Sequence, residues 1–337
     1  MLCLVIVSCD DERDNKQPEV PVAISFWEHS HLSFIGLNGP VNKLVETTFG
    51  VSEETGEEEE GRMSLDIRFN NAGQITYYNP IGEVVAETRS NVWQSLAYYS
   101  YSYDETGRMT QAIVTELGEE PTVYTLQYGA HDRYVPLIFP LGSMDFFLVK
   151  GLQSIISENG TVSYVFNGEN ATYQETSWAG DVETKYVYEE GNSYPVKKTI
   201  TTSRDATIVG METTVYSYRN DGGLSAKDIR EMQDEIEVQR TIVRYVDGGL
   251  LHPISKKIDV GSLIYDWTYL YDAEKRLKGV DYVENKGAED EISQKEEYTY
   301  LSFDSYGNWT NSKQLQNSFV DWSHGDGMMS VHREIIY

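Results

Sequence analysis

The chain has 337 residues, with 54 acidic against 27 basic side chains and a net charge of −27. Such a surface repels phosphate backbones and anionic lipid, which argues against nucleic acid as a partner and leaves a covalent anchor as the route to a membrane. Tyrosine is frequent at 25 residues while proline and cysteine are sparse at 9 and 2; Tyr and Thr suit pleated, half-buried strands, so the composition favours an all-β chain over a helical one.

The chain starts with an apolar run, Leu2 to Val7, followed by Ser8-Cys9 and then Asp10-Asp11-Glu12-Arg13-Asp14. The run is far too short to span a bilayer, which takes about 20 apolar residues. Ile6-Val7-Ser8-Cys9 resembles a bacterial lipobox, whose cysteine is acylated and becomes the mature N-terminus. Acidic residues directly after it resemble the surface-export signal of some Gram-negative lipoproteins. The resemblance implies a signal segment over 1–9, a lipid anchor on Cys9 and a place at the outer membrane. Residues 10–22 are charged and carry Pro18 and Pro21, so they read as a solvated tether. The other cysteine is Cys3, so processing leaves no thiol for a disulfide, a zinc ligand or a nucleophile in the folded part.

From residue 23 to 337 one β domain is expected, and its organising unit is Tyr99 to Thr110, Tyr-Ser-Tyr-Ser-Tyr-Asp-Glu-Thr-Gly-Arg-Met-Thr. Tyr99, Tyr101 and Tyr103 alternate with small polar residues and project from one strand face. Asp104 to Gly107 supplies turn chemistry and Arg108-Met109-Thr110 starts the return strand. Versions of this hairpin recur. Ile35 to Val41 opens the folded part, and a strand follows in which Val41, Lys43, Val45 and Thr47 share a face. Glu53, Glu54 and Glu57 to Glu60 lack the ligand order of a calcium loop and read as a solvated hairpin tip. Ile67 to Thr76 then aligns with Tyr101 to Thr110. Later copies start at Tyr186, Tyr216, Tyr269 and Phe303, with degenerate ones at Tyr164 to Tyr173 and Arg244 to Leu250. Measured on the second aromatic, Phe69 to Tyr103, Tyr188 to Tyr218 and Tyr271 to Phe303 are steps of 34, 30 and 32 residues.

The pattern Tyr-x-Tyr-Asp-x-x-Gly-Arg-hydrophobic-Thr resembles the YD repeat of RHS-type proteins, most closely at Tyr101 to Thr110, Tyr269 to Lys278 and Phe303 to Thr310. Lys275 stands in place of the turn glycine and Gly223 in place of the arginine. The resemblance implies a continuous antiparallel sheet of hairpins that coils on itself, in large members into a hollow shell; the shorter members are secreted lipoproteins. Residue physics leads the same way, because one hairpin is marginal alone and stacked hairpins bury a continuous stripe of rings. Arg108 and Arg276 are expected to bond carboxylates or carbonyls of an adjacent turn.

One stretch departs from the rhythm. Tyr134 to Leu152, with Pro136, Pro140 and the apolar runs around them, reads as a packed insertion that closes one end or fills the hollow. Long helical periodicity is hard to find, and the best candidate, Leu224 to Gln239, is short and mostly polar.

No catalytic constellation, cofactor motif or metal site is read from the chain. Glu28, His29 and His31 supply two imidazoles on one strand face without a third suitably spaced ligand. Ser323, His324 and Asp326 are sequence neighbours that point apart on a strand and cannot form a relay. Trp93, Trp178, Trp267 and Trp309 read as buried anchors of the sheet, with stacking on sugar rings as the alternative. The reading is therefore an all-β, non-enzymatic envelope lipoprotein, a binding or structural module whose partner is a glycan or an envelope protein. A glycoside hydrolase with a carboxylate pair is the alternative, and a fragment of a toxin-encapsulating shell comes third.

Overall fold

The computed structural model describes residues 31–52, 54–85, 91–95, 97–137, 148–158, 160–167, 170–177, 180–190, 193–204, 207–218, 224–233, 236–245, 253–274, 276–285, 291–318 and 327–337. After a 3-10 turn at His31–Ile35, every regular element is a strand. β1 (Lys43–Val51), β2 (Arg62–Phe69) and β3 (Ile75–Val85) form an antiparallel meander, and both β4 (Asn91–Ser95) and β5 (Ala97–Tyr103) pair with β3. β6 (Met109–Glu116) and β7 (Thr122–Tyr128) continue it. β8 (Tyr134–Pro136) and β9 (Leu148–Lys150) make a separate two-stranded ribbon, and β10 (Leu152–Ser157) returns to β7. β11 (Gly160–Ser163) pairs with β10, whereas β12 (Val165–Asn167) pairs with β13 (Asn170–Ser177).

From β13 onward each strand pairs with its successor. The run is β14 (Gly180–Tyr188), β15 (Pro195–Arg204), β16 (Thr207–Tyr218), β17 (Leu224–Gln233), β18 (Ile236–Tyr245) and β19 (Pro253–Val260). It ends with β20 (Leu263–Tyr271), β21 (Leu277–Glu284), β22 (Ile292–Phe303), β23 (Trp309–Ser318) and β24 (Gly327–Ile336). β24 then pairs along its length with β1, so the last strand returns to the first. The 22-stranded sheet is not closed by hydrogen bonds: at Tyr164, between β11 and β12, the ladder changes partner.

The repeat motif acts at two places in the described hairpins that carry it. In the turn, an Asx side chain accepts local backbone N–H groups. Asp104 Oδ1 accepts from Thr106 and Arg108, Asn70 from Ala72 and Gln74, Asp272 from Glu274 and Arg276, and Asp304 from Tyr306 and Asn308. Gly73, Gly107 and Gly307 stand at φ of 77°, 82° and 82°, the left-handed conformation that glycine takes without a Cβ penalty. Beside the turn, the second aromatic follows a register shift, as at Phe69, Tyr103, Tyr188, Tyr218, Tyr245, Tyr271 and Phe303. These are β-bulges, and a bulge bends its strand. Repeated at one rim, they curl the sheet in one sense.

Tyrosine hydroxyls then tie hairpin to hairpin. Tyr103 O–H donates to the carbonyl of Ile75, Tyr128 to Met109, Tyr218 to Pro195, Tyr271 to Pro253 and Tyr300 to Leu277, at 2.6–2.9 Å. In each case the acceptor is the first residue of an earlier return strand. Burial pushes Tyr103, Tyr218 and Tyr271 well above the ordinary phenol range, which keeps them neutral donors.

Because opposed residues of an antiparallel pair share a face, the register carries one inner face around the whole sheet. Leu44, Ile67, Tyr78, Tyr101, Ala112, Leu126, Ile155 and Tyr186 all lie on it and all are buried. From the 3-10 turn to β14 the described part of this face carries the buried core cluster. Leu32, Leu37 and Val41 enter from the N-terminal segment, and Val135, Val149 and Leu152 from the ribbon and its flank. The described part of the Tyr134 to Leu152 insertion therefore fills the hollow, as expected; residues 138–147 lie outside the described residues.

One expectation is corrected, and the best helical candidate proves to be extended, as the all-β reading requires. Leu224 to Gln239 is β17 and the start of β18, because the facing strands supply the backbone partners a helix would otherwise need: Thr214↔Ile229 on one side and Ile229↔Thr241 on the other. Arg276 bonds the carboxylates of its own turn, Asp272 and Glu274, and lies over the rings of Tyr300 and Phe303; Arg108 likewise lies over Tyr128. The arginine thus caps the next aromatic stripe rather than bonding an adjacent turn. Glu54 and Glu57 to Glu60 form the exposed tip between β1 and β2, as read; Glu53 lies outside the described residues.

Candidate functional site

Beyond β14 the inner face changes character. Lys198 pairs with Glu212 at 3.1 Å, and Gln239 donates to Glu231 at 2.8 Å. These are polar, partly exposed positions where the first half carries leucine, isoleucine and tyrosine. The main buried core cluster ends at Tyr188, and beyond it much of the described inner face is half-buried. A hollow of about 320 Å³ opens there, walled by Trp267, Val280, Tyr282, Glu284, Ile292, Gln294 and Glu296. That volume lies at the lower end of small-molecule pockets, roughly 300–1,000 Å³.

Three consecutive strands build it. Trp267 of β20 lies opposite Tyr282 of β21, and Tyr282 lies opposite Gln294 of β22. Val280 lies opposite Glu296 and Glu284 opposite Ile292, so the two carboxylates flank the central aromatic row at its two ends. Trp267 and Tyr282 meet at 4.9 Å between centroids, and Tyr265 stacks on both at 6.2–6.4 Å. Next to them on β19, the Lys256 ammonium sits 5.1 Å from the Trp267 ring.

The polar groups are held by their own neighbours. Tyr282 O–H donates to Glu284 at 3.2 Å. Tyr298 O–H donates to Glu296 at 2.9 Å, and Gln314 Nε2 bridges Glu296 and the Tyr298 hydroxyl at 3.3 and 3.1 Å. Burial, followed by the Glu284 charge, pushes Tyr282 up to about 12, and burial with Glu296 raises Tyr298 further. Both phenols therefore remain protonated donors. Glu284 and Glu296 are offset by four positions along the strand axis, about 13 Å of backbone at ~3.3 Å per residue. Carboxyl pairs of glycoside hydrolases stand roughly 5–9.5 Å apart. What the arrangement offers is an aromatic wall with acceptors at either end.

The residues singled out from sequence fall in different places. Trp267 is not a buried anchor; it is a wall of the hollow. Trp309 is half-buried too, with the Arg333 guanidinium 3.5 Å above its ring and Arg333 paired to Glu46. The side chains of Trp93 and Trp178 lie outside the described residues, as do Cys9, Glu28, His29, Ser323, His324 and Asp326. His31 is buried and structural: its Nδ1 accepts the N–H of Ile75 at 2.8 Å. Among the described residues no group of three or more His, Cys, Asp or Glu is placed to hold a metal ion. Tyr282, Gln294 and Glu296 were missed in sequence, although the alternation from Ile292 to Tyr300 marks one face of a long strand.

No protein-family model matches the chain, and no curated protein matches it in sequence. Among solved structures it is similar to a porin-like protein from Bacteroides uniformis, at a TM-score of 0.35 and 13% identity over 89% of this chain and 99% of that one. It is similar to a porin-like protein from Bacteroides vulgatus at a TM-score of 0.29 and 12% identity, covering 67% of this chain and 98% of the other. It is also similar to the Tc holotoxin pore of Photorhabdus luminescens at a TM-score of 0.15 and 8% identity; there 86% of this chain corresponds to 18% of the other.

Proposed function

We propose that the chain is a YD-repeat-like envelope lipoprotein, anchored through Cys9 to the outer membrane, that binds a glycan in the half-open hollow of its sheet without chemically altering it. The observation that carries this is the half-buried aromatic wall of Trp267 and Tyr282, lining the hollow between two sets of fixed hydrogen-bonding groups. Sugar rings present one apolar face and a rim of hydroxyls, which such a wall and rim complement.

The outward face supports attachment through an anchor rather than burial in lipid. It carries Asp228 with Arg230 and Arg240, Lys257 with Asp259, and Lys295 with Glu297. A lipid-facing barrel surface is an apolar band in which each such cation costs about 2–4 kcal/mol near the midplane. Glycan-array binding by the full chain carrying Cys9→Ser, lost in Trp267→Ala, tests the binding reading; silence of the array refutes it. Cleavage of an arrayed glycan that disappears in Glu296→Gln would replace binding by hydrolysis. Incorporation of labelled fatty acid into the wild type and not into Cys9→Ser tests the anchor.

A further inference from the structure

The proposed glycan site has a charge pattern that narrows its ligand. Of its seven lining residues two are carboxylates and none is basic. Each carboxylate is held by a phenol that stays protonated, so its charge is positioned rather than mobile. Between them lie the π-faces of Trp267 and Tyr282, and aromatic faces attract cations within about 6 Å. The protein supplies an example of this attraction in Lys256, whose ammonium is drawn to the Trp267 ring. The other lysines of the adjoining strands, Lys257, Lys278, Lys295 and Lys313, stand at outward register positions or at a rim. With a net charge of −27 the whole molecule also concentrates cations at its surface.

We infer that the hollow selects a ligand bearing a protonated amine, an amino sugar in its unacetylated form, with the ammonium on Glu284 or Glu296 and the sugar ring against Trp267 and Tyr282. This rests on the reading of the hollow as a glycan site, and the measurement separates the two. Calorimetric titration of the full chain carrying Cys9→Ser uses three probes: a glucosamine oligomer, its fully N-acetylated counterpart, and spermidine. The glucosamine oligomer is expected to bind at least tenfold more tightly than the acetylated one, and Glu284→Gln or Glu296→Gln each to weaken it roughly tenfold, as loss of a charge-assisted hydrogen bond implies. Lys256→Gln removes a competing cation from the same wall and is expected to tighten it, a change that a merely structural lysine would not give. Glu119→Gln, on the exposed β6–β7 turn, leaves binding unchanged and controls for unspecific attraction to a negative protein.

Equal or better binding of the acetylated oligomer overturns the amine and leaves the glycan reading standing. Spermidine binding that depends on Glu284 or Glu296, with both sugars silent, upholds the amine and overturns the glycan. An affinity that Glu119→Gln lowers as much as the lining substitutions overturns the site, and silence of all three probes overturns both readings.

Discussion

Replacing Tyr188 with phenylalanine isolates one of the hydroxyls that bind distant parts of the sheet. Tyr188 is 1% exposed, and its O–H donates at 2.8 Å to the carbonyl of Tyr134 in the β8–β9 ribbon. The bond therefore fixes the insertion to β14, which does not pair with it in any ladder. Its loss removes a net contribution of about 1 kcal/mol and leaves a desolvated carbonyl, for a total of about 1–2 kcal/mol. Tyr188→Ala also removes the ring, which packs near Phe166 and beneath Arg133; that costs about 3–5 kcal/mol. For 337 residues the entropy of unfolding is about 0.7 kcal/mol/K, so the phenylalanine variant melts about 2 °C lower and the alanine variant about 6 °C lower. Differential scanning calorimetry reads both, with exposed Tyr98→Phe as an unchanged control. A Tyr188→Phe melt identical to wild type would remove the hydroxyl stitch from the account of stability. Equal losses in Phe and Ala would show that the ring itself contributes nothing.

Further expectations follow from the turns and from the contact of the Asn38 loop with the C-terminal strands. Asn308 occupies the arginine position of the last repeat because it accepts the N–H of Asn38 at 2.6 Å and donates to the Asn38 carbonyl and to Tyr337; Asn308→Ala should speed hydrogen exchange at the Asn38 amide, and Asn308→Arg should fail to restore protection. Gly39→Ala places a Cβ 2.6 Å from the Tyr306 ring at φ +84 and should cost roughly 2–4 kcal/mol. Gly307→Ala meets no atom at φ +82 and should cost only the strain, about 1–2 kcal/mol; urea midpoints compare the two, and equal losses would dismiss the Tyr306 contact. Burial raises the Asp104 carboxyl, but the Thr106 hydroxyl and the N–H groups of Arg108 and Thr106 outweigh it and hold it below the usual range. A depressed folded value stabilises above the unfolded pKa, about 3.9, and is lost as pH falls through the folded one. Asp104→Asn keeps the acceptor, as Asn70 does in its own turn, so it should fold normally at pH 7 and show a smaller loss of stability below pH 4 by circular dichroism.

Much of the hairpin was legible in the residues themselves, because turn chemistry is local. Asp104 bonds residues two and four positions on, and Gly107 needs only its own φ, so the copies at Asn70, Asp272 and Asp304 reveal the turns wherever they occur. Alternating tyrosines fixed which side chains share a face within one strand. The helix considered at Leu224 to Gln239 failed for a non-local reason: β16 and β18 satisfy its backbone. The site failed similarly. Trp267 and Trp309 occupy comparable strands and each ring meets a cation, Lys256 at 5.1 Å and Arg333 at 3.5 Å, yet Trp267 and not Trp309 walls the hollow. Face assignment cannot be counted through the chain, since each bulge inserts a residue and shifts the alternation. Only the paired registers of β20, β21 and β22 set Trp267, Tyr282 and Glu296 side by side. Composition and repeat determined that a curled sheet of hairpins forms; the tertiary structure decided that its first half is filled by Leu37, Val41 and Val135 and its second half left open, because inner-face polarity acts only once the curl has defined an inside.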